Sequence, residues 1–388
     1  MIKVLVAFTG MILLSGAVYG QQNTFLYTCD ENGVFPSING DVSGFVINQD
    51  GTLTELSGSP FPSGGETFDG QVGQAHIVIV GDHLYSSNSA GASIAAFSID
   101  PATGNLTPIS GTPFRIGVIT NGSGLSLAAT PNGRYLFAGS PFAHVILTFA
   151  IEADGSLTGP IQTLHTTLID TQMVVSPNGK FLAVGGAQLA VFKIKQSGSL
   201  KLVDQQSLLS TLDIVDSINF NCNGDMIFAS GEASPLPPQT AVQSFKIKST
   251  GKLKPVSSFS TVTGFGQWLG CTLYSPALGR LFASDRSDNR SIAQLDISPD
   301  GALSLAAGSP ISAFDEADDN PNSVPAAMAL NQSGTELFVQ LTPNMIAAFM
   351  IGSSGAFTPV SGSPFQARGS GIALGSMVIY PQVVCSSH

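Results

Sequence analysis

The chain has 388 residues, with 26 Asp or Glu against 15 Lys or Arg, for a net charge of −11. Charged residues make up only 11% and hydrophobic ones 43%, which excludes a disordered chain and argues against a helical bundle or coiled coil, both rich in Lys, Glu and Arg. The acidic balance, with no basic cluster to offset it, argues against nucleic acid or an anionic membrane surface as partner.

Residues 1–20 read as a secretory signal peptide. Lys3 precedes an apolar run from Val4 to Leu14, small residues follow, and cleavage falls after Ala17 or Gly20. The run is short for the ~20 residues that span a bilayer, and no later segment is long and apolar enough, so the chain is expected to be secreted or periplasmic without a membrane span. Residues 21–388 then form a single domain. In an oxidising compartment Cys29, Cys222, Cys271 and Cys385 are able to form disulfides, and four cysteines allow three pairings. The absence of a CxxC pair argues against structural zinc and thioredoxin chemistry.

From Phe45 onward one pattern occurs seven times. An apolar stretch ends near a Phe, a polar turn with Gly follows, then a Leu-centred strand. The copies begin at Phe45, Phe97, Phe149, Phe192, Phe245, Leu295 and Phe349, spaced 43 to 54 residues apart. A period near fifty built from strands and turns is the mark of a propeller blade. In Ala95–Ile99 apolar side chains alternate, and Asp100–Gly104 supplies turn residues. A second hairpin precedes most copies, as in TPNGRYLFA from Thr130 and SPNGKFLAV from Ser176; Asn-Gly between apolar runs is a strong hairpin signal. Two hairpins give four strands per blade. Gly-Ser/Thr-Pro at Gly58, Gly111, Gly308 and Gly362 is expected to close the outer strand.

The predicted fold is all-β: a seven-bladed propeller with four antiparallel strands per blade. The blades fall roughly at 24–57 with 371–381, then 75–110, 124–164, 171–206, 216–259, 269–307 and 325–361. The first blade lacks an inner strand before Thr24–Thr28. Met377–Pro381 resembles the inner strand at Met173–Pro177, so the C-terminal strand is expected to complete it. Cys29 follows the N-terminal strand and Cys385 the C-terminal one, which predicts a Cys29–Cys385 disulfide. Cys222 and Cys271 read as small buried hydrophobes on neighbouring inner strands.

Two stretches carry a family resemblance: Ala75–His76–Ile77–Val78 with Tyr85–Ser86–Ser87–Asn88, and Leu281–Arg286 followed by Ser291–Ile292. They are similar to the "HxV…YxxN" and "LYVSNR…SI" motifs of the seven-bladed lactonase propellers, the 6-phosphogluconolactonase and carboxy-muconate cyclase group with its YVTN-type relatives. The resemblance extends over the mature chain. It implies that the family's inner-strand Pro-Arg-His falls on Val215–Asp216–Ser217, its "NE" acid on Glu232 and the Arg of "SNR" on Arg286. Its His-x-His region falls on Gly124–Leu125–Ser126, its last-blade Arg on Ala326 and the nearby Gln on Gln340. Glu232, Arg286 and His76 are thus the candidate catalytic residues, and Asp216, Gln340, Trp268 and Asn88 the candidate ligand contacts. An Asp where an anion-binding Arg is implied inverts the local charge.

Each candidate has a plainer reading. Glu232 and Arg286 fit a blade-to-blade ion pair equally well, and His76 reads first as a structural histidine. Trp268 fits packing as well as ring stacking. The run Asp315, Glu316, Asp318, Asp319 has enough carboxylates for Ca²⁺ but lacks the spaced loop of a calcium site, so it reads first as a solvated loop. There is no HExxH, GxSxG or P-loop, and no cofactor is expected. The sequence therefore predicts an exported, monomeric, lactonase-like propeller with a decayed site, binding a lactone-like or sugar-like molecule or a protein through its loop face. The alternative is a lactone hydrolase acting on a neutral lactone through Glu232, Arg286 and His76.

Overall fold

The computed structural model describes residues 23–30, 38–67, 77–88, 90–118, 125–166, 172–207, 214–233, 239–260, 269–285, 291–312, 325–341, 344–367, 376–382 and 385. These residues form strands and turns, with no helix among them. Seven antiparallel sheets stand in a ring. Blade four shows the plan, running outward from the axis as Met173–Val175, Phe181–Val184, Leu189–Ile194 and Leu200–Gln206.

The ring closes as the sequence predicts. Met377–Tyr380 is the inner strand of blade one and pairs with Thr24–Asp30, with Phe25 opposite Tyr380 and Thr28 opposite Met377. The Tyr380 hydroxyl donates to Asp82 of blade two at 2.6 Å. Burial, then the Asp82 contact, pushes that phenol up to about 12, so it stays a donor at neutral pH.

Apolar side chains fill the seven spaces between neighbouring blades. Phe25, Tyr27, Leu84 and Phe97 join blades one and two, and Leu26, Phe45, Phe338 and Ala348 join blade one to blade seven. The turn glycine of each sequence repeat completes the contact. Gly104 has φ +74, and a Cβ there would stand 2.4 Å from the Phe25 ring of the blade before it. Only a residue without a side chain takes this backbone and lets the blades approach. The Tyr27 hydroxyl donates to the Gly104 carbonyl at 2.6 Å, and Tyr85 does the same for Gly155 of blade three at 2.8 Å.

The outer edge differs from expectation in four blades. Gly-Ser/Thr-Pro does not end blades one, two, six and seven. The chain turns there and adds a further segment, Phe61–Thr67, Phe114–Arg115, Ile311–Ser312 or Phe365–Gln366, which pairs with the same third strand. The hydroxyl of the motif explains the break. Ser59, Thr112, Ser309 and Ser363 accept the third-strand N–H of Gly44, Ala96, Gln294 and Ala348 at 3.1, 2.8, 2.7 and 2.9 Å. Each side chain replaces the backbone acceptor that the interrupted strand no longer provides. Blades three, four and five keep one outer strand each, with a register shift instead.

The predicted Cys29–Cys385 bond is not formed: Cys385 is bonded to Cys222, with Cα atoms 4.9 Å apart. The antiparallel pairing gives the reason. The N-terminal strand ends at one face of the ring and the C-terminal strand at the other. Cys29 lies four residues past Phe25, the partner of Tyr380, about 13 Å along the strand, whereas a disulfide needs Cα atoms within ~7 Å. Cys29 is buried between blades one and two. Cys222 is thus not a buried thiol on an inner strand: that strand ends at Phe220 and Cys222 lies in the turn after it. Cys271 does lie on an inner strand, Leu269–Ser275, and is half-buried. The predicted signal peptide lies outside the described residues.

Candidate functional site

Every inner strand runs from the face bearing the blade-to-blade loops toward the face bearing the inner hairpin turns, and every second strand returns. Residues early in inner strands and late in second strands therefore gather at the loop-face mouth. Asp216, Gln340 and Asn88 are placed there, with the backbone of Glu232, which pairs with Ile214. His76, Arg286, Trp268, Asp315, Glu316, Asp318 and Asp319 lie outside the described residues, and nothing is described of the Glu232 side chain.

Blades five, six and seven share an irregularity at this mouth. Their inner strands carry a register shift between Val215 and Ser217, between Leu269 and Thr272, and between Pro325 and Ala327. The extra residue is Asp216 in blade five and Ala326 in blade seven. A bulge takes a residue out of the strand's alternation and re-aims it. These are the two positions where the resemblance implies arginines. At Asp216, which is half-buried, and at Ala326 the sequence therefore supplies no guanidinium for an anion.

The next residue has a structural task. Ser217, implied as the family's histidine position, is fully buried. Its hydroxyl lies 2.9 Å from Thr272 Oγ1 and accepts the Thr272 N–H at 3.0 Å. Asn219 Nδ2 donates to the Thr272 carbonyl and to Thr272 Oγ1, both at 2.8 Å. Gln172 of blade four accepts the Ile218 N–H through Oε1. Ser284 of blade six accepts the Cys271 N–H at 2.9 Å and reaches the Pro325 carbonyl of blade seven at 3.4 Å. Inner strands lie too far apart to share a ladder, so side chains satisfy their inner-edge amides. The sequence reading missed this clasp. Its signal was the polar pair Ser217 and Asn219, spaced by two within the apolar strand Ile214–Phe220.

Asn88 is fully buried at the end of blade two's second strand. Its Oδ1 lies 2.5 Å from the Ser63 hydroxyl of blade one, and its Nδ2 donates to Ser93 Oγ at 3.2 Å. Gln340 is 3% exposed, and its Oε1 has no hydrogen-bond partner among the described residues. The same holds for the hydroxyls of Ser126 and Ser230. The described mouth is therefore polar, with Asp216 and the buried Asp285 as acidic groups. Among the described residues, no group of three or more His, Cys, Asp or Glu is placed to hold a metal.

Comparisons agree with this architecture. The family model "Lactonase, 7-bladed beta-propeller" matches residues 17–118. A candidate 6-phosphogluconolactonase from Bacteroides uniformis ATCC 8492 superposes with a TM-score of 0.71 at 17% identity, over 92% of this chain and 100% of that one. The periplasmic gluconolactonase PpgL of Pseudomonas aeruginosa gives 0.66 at 16% identity, over 92% and 99%. No curated protein matches the sequence. With its seven blades, its head-to-tail closure and the match over its first blades, the chain is a lactonase-like seven-bladed β-propeller.

Proposed function

We propose that this chain is an exported lactonase-like propeller that binds a ligand or partner through its loop face and has lost the lactonase site. The observation that carries the reading is the pair Asp216–Ser217. One residue puts a carboxylate at a bulge where an anion would need a guanidinium, and the other is held in the blade five–six clasp. Each missing charge-assisted contact withholds roughly 1.5–3 kcal/mol from an anionic substrate. The polar, acidic lining favours an uncharged, hydrogen-bonding ligand such as a sugar-like or lactone-like molecule over an anion.

Export is supported by the N-terminal apolar run, by the Cys222–Cys385 bond and by the likeness to a periplasmic gluconolactonase. A monomer fits a ring that closes on its own chain. Hydrolysis of a panel of neutral and anionic lactones tests the reading. Rates at the uncatalysed background are expected. Turnover abolished by Glu232→Gln would establish a working lactonase and overturn it.

A further inference from the structure

The opposite mouth of the channel holds a chamber that the loop-face reading does not use. Its volume is about 740 Å³, and it lies between the inner-strand ends of blades five, six, seven and one. Leu273, Met328, Leu330 and Ile379 supply its apolar surface, and the last three are buried side chains. Asn219, Gln332 and Gln382 bring carboxamides and Tyr274 a phenol. None of the described residues lining it carries a charge.

The Cys222–Cys385 bond builds one side. The chain leaves blade one at Tyr380 and is fixed to the turn of blade five at Cys222, passing blades six and seven. Gln382 and Cys385 line the chamber as a result. The disulfide therefore does more than join a tail to the ring: it sets a wall of the cavity.

We infer that this chamber is a second binding site, for an uncharged molecule with an apolar body and a hydrogen-bonding end. Its volume is that of a small-molecule pocket, commonly ~300–1,000 Å³, and its mixture of apolar surface with a few polar groups is typical of one. Its described lining offers a charged ligand no counter-ion. Its nearest lining residue in blade five, Asn219, is three inner-strand residues, about 10 Å, from Asp216, and Asp216 itself does not line it.

The test uses two fluorescent probes that share a ring system, neutral N-phenyl-1-naphthylamine and its anionic sulfonate, 8-anilinonaphthalene-1-sulfonate, titrated into the disulfide-bonded protein. The neutral probe is expected to bind saturably at one site, and the sulfonate at least tenfold more weakly. Gln332→Trp places a bulky ring at the exposed rim, so that variant is expected to lose at least tenfold in affinity for the neutral probe. Asp216→Ala, at the other mouth, is expected to stay within twofold. Circular dichroism and the melting temperature verify that both variants are folded. Equal affinity for the two probes, no saturable binding, or binding by folded Gln332→Trp that matches the parent would overturn the assignment.

Discussion

Blades six, seven, one and two form one arc of the ring and blades three, four and five the other, and the two arcs finish their outer edges differently. In the first arc a Gly-Ser/Thr-Pro turn breaks the outer strand and a hydroxyl takes over one third-strand amide. In the second the outer strand is continuous, as in Leu157–His165 and Leu253–Ser260. An uninterrupted edge invites pairing with another chain. Blade three carries Pro160 on its edge, blade four Lys201 and blade five Lys254 and Pro255, which are other ways to blunt it. The comparison teaches that the sevenfold repeat belongs to the inner three strands and their packing, while the outermost layer is solved arc by arc.

The largest expected effect tests whether the inner layers really are equivalent. Phe97 in the broken-edge arc and Phe245 in the continuous one are both buried. Phe97→Ala and Phe245→Ala are expected to destabilise by similar amounts, about 3–5 kcal/mol each, in urea unfolding. Costs differing by more than twofold would break the equivalence. Gly104→Ala comes next, at about 1–3 kcal/mol, because it combines a φ of +74 with a collision against Phe25.

The arcs separate in a smaller effect. Ser363→Ala leaves the Ala348 N–H without its 2.9 Å acceptor and is expected to cost about 1–3 kcal/mol. Thr163→Ala, exposed on the continuous outer strand of blade three, is expected to stay within about 0.5 kcal/mol. Equal losses in thermal melts would refute the role given to the hydroxyl. The smallest effect is one of pH. Burial, then the Asp50 charge, raises the Glu336 carboxyl above its ordinary value of 4.5, although Asn331 opposes the shift. A folded state that holds its proton longer than the unfolded state loses stability as pH rises from about 4.5 through the folded value. Glu336→Gln should flatten that decline, so the melting-temperature gap between variant and parent should widen in the variant's favour from pH 4 to 7.

The fold was legible because the repeat states it seven times: the Phe45, Phe97 and Phe149 copies each supply a strand, a glycine turn and a partner strand. The outer segments of the broken arc escaped notice because pieces such as Phe114–Arg115 and Phe365–Gln366 are two residues long, too short for any alternation to register. The disulfide was misjudged for a different reason. Cys29 lies near the end of one strand and Cys385 past the end of another, but antiparallel strands end at opposite faces, and sequence order does not display that. The site was legible only as a face. Inner-strand starts and second-strand ends do converge on one mouth, yet the clasp of Ser217, Asn219 and Thr272 links blades whose contact depends on the closed ring.

All of this depends on chain direction: Asp216, Gln340 and Asn88 lie toward one face of the ring, and at the other Cys385 of the tail is bonded to Cys222 of blade five. Peptide mapping of the unreduced protein by mass spectrometry reads this directly. A cross-linked peptide pair containing Cys222 and Cys385 is the expected result. A pair joining Cys29 to Cys385 would contradict it, since that bond would bring together two ends of blade one that the ring holds apart.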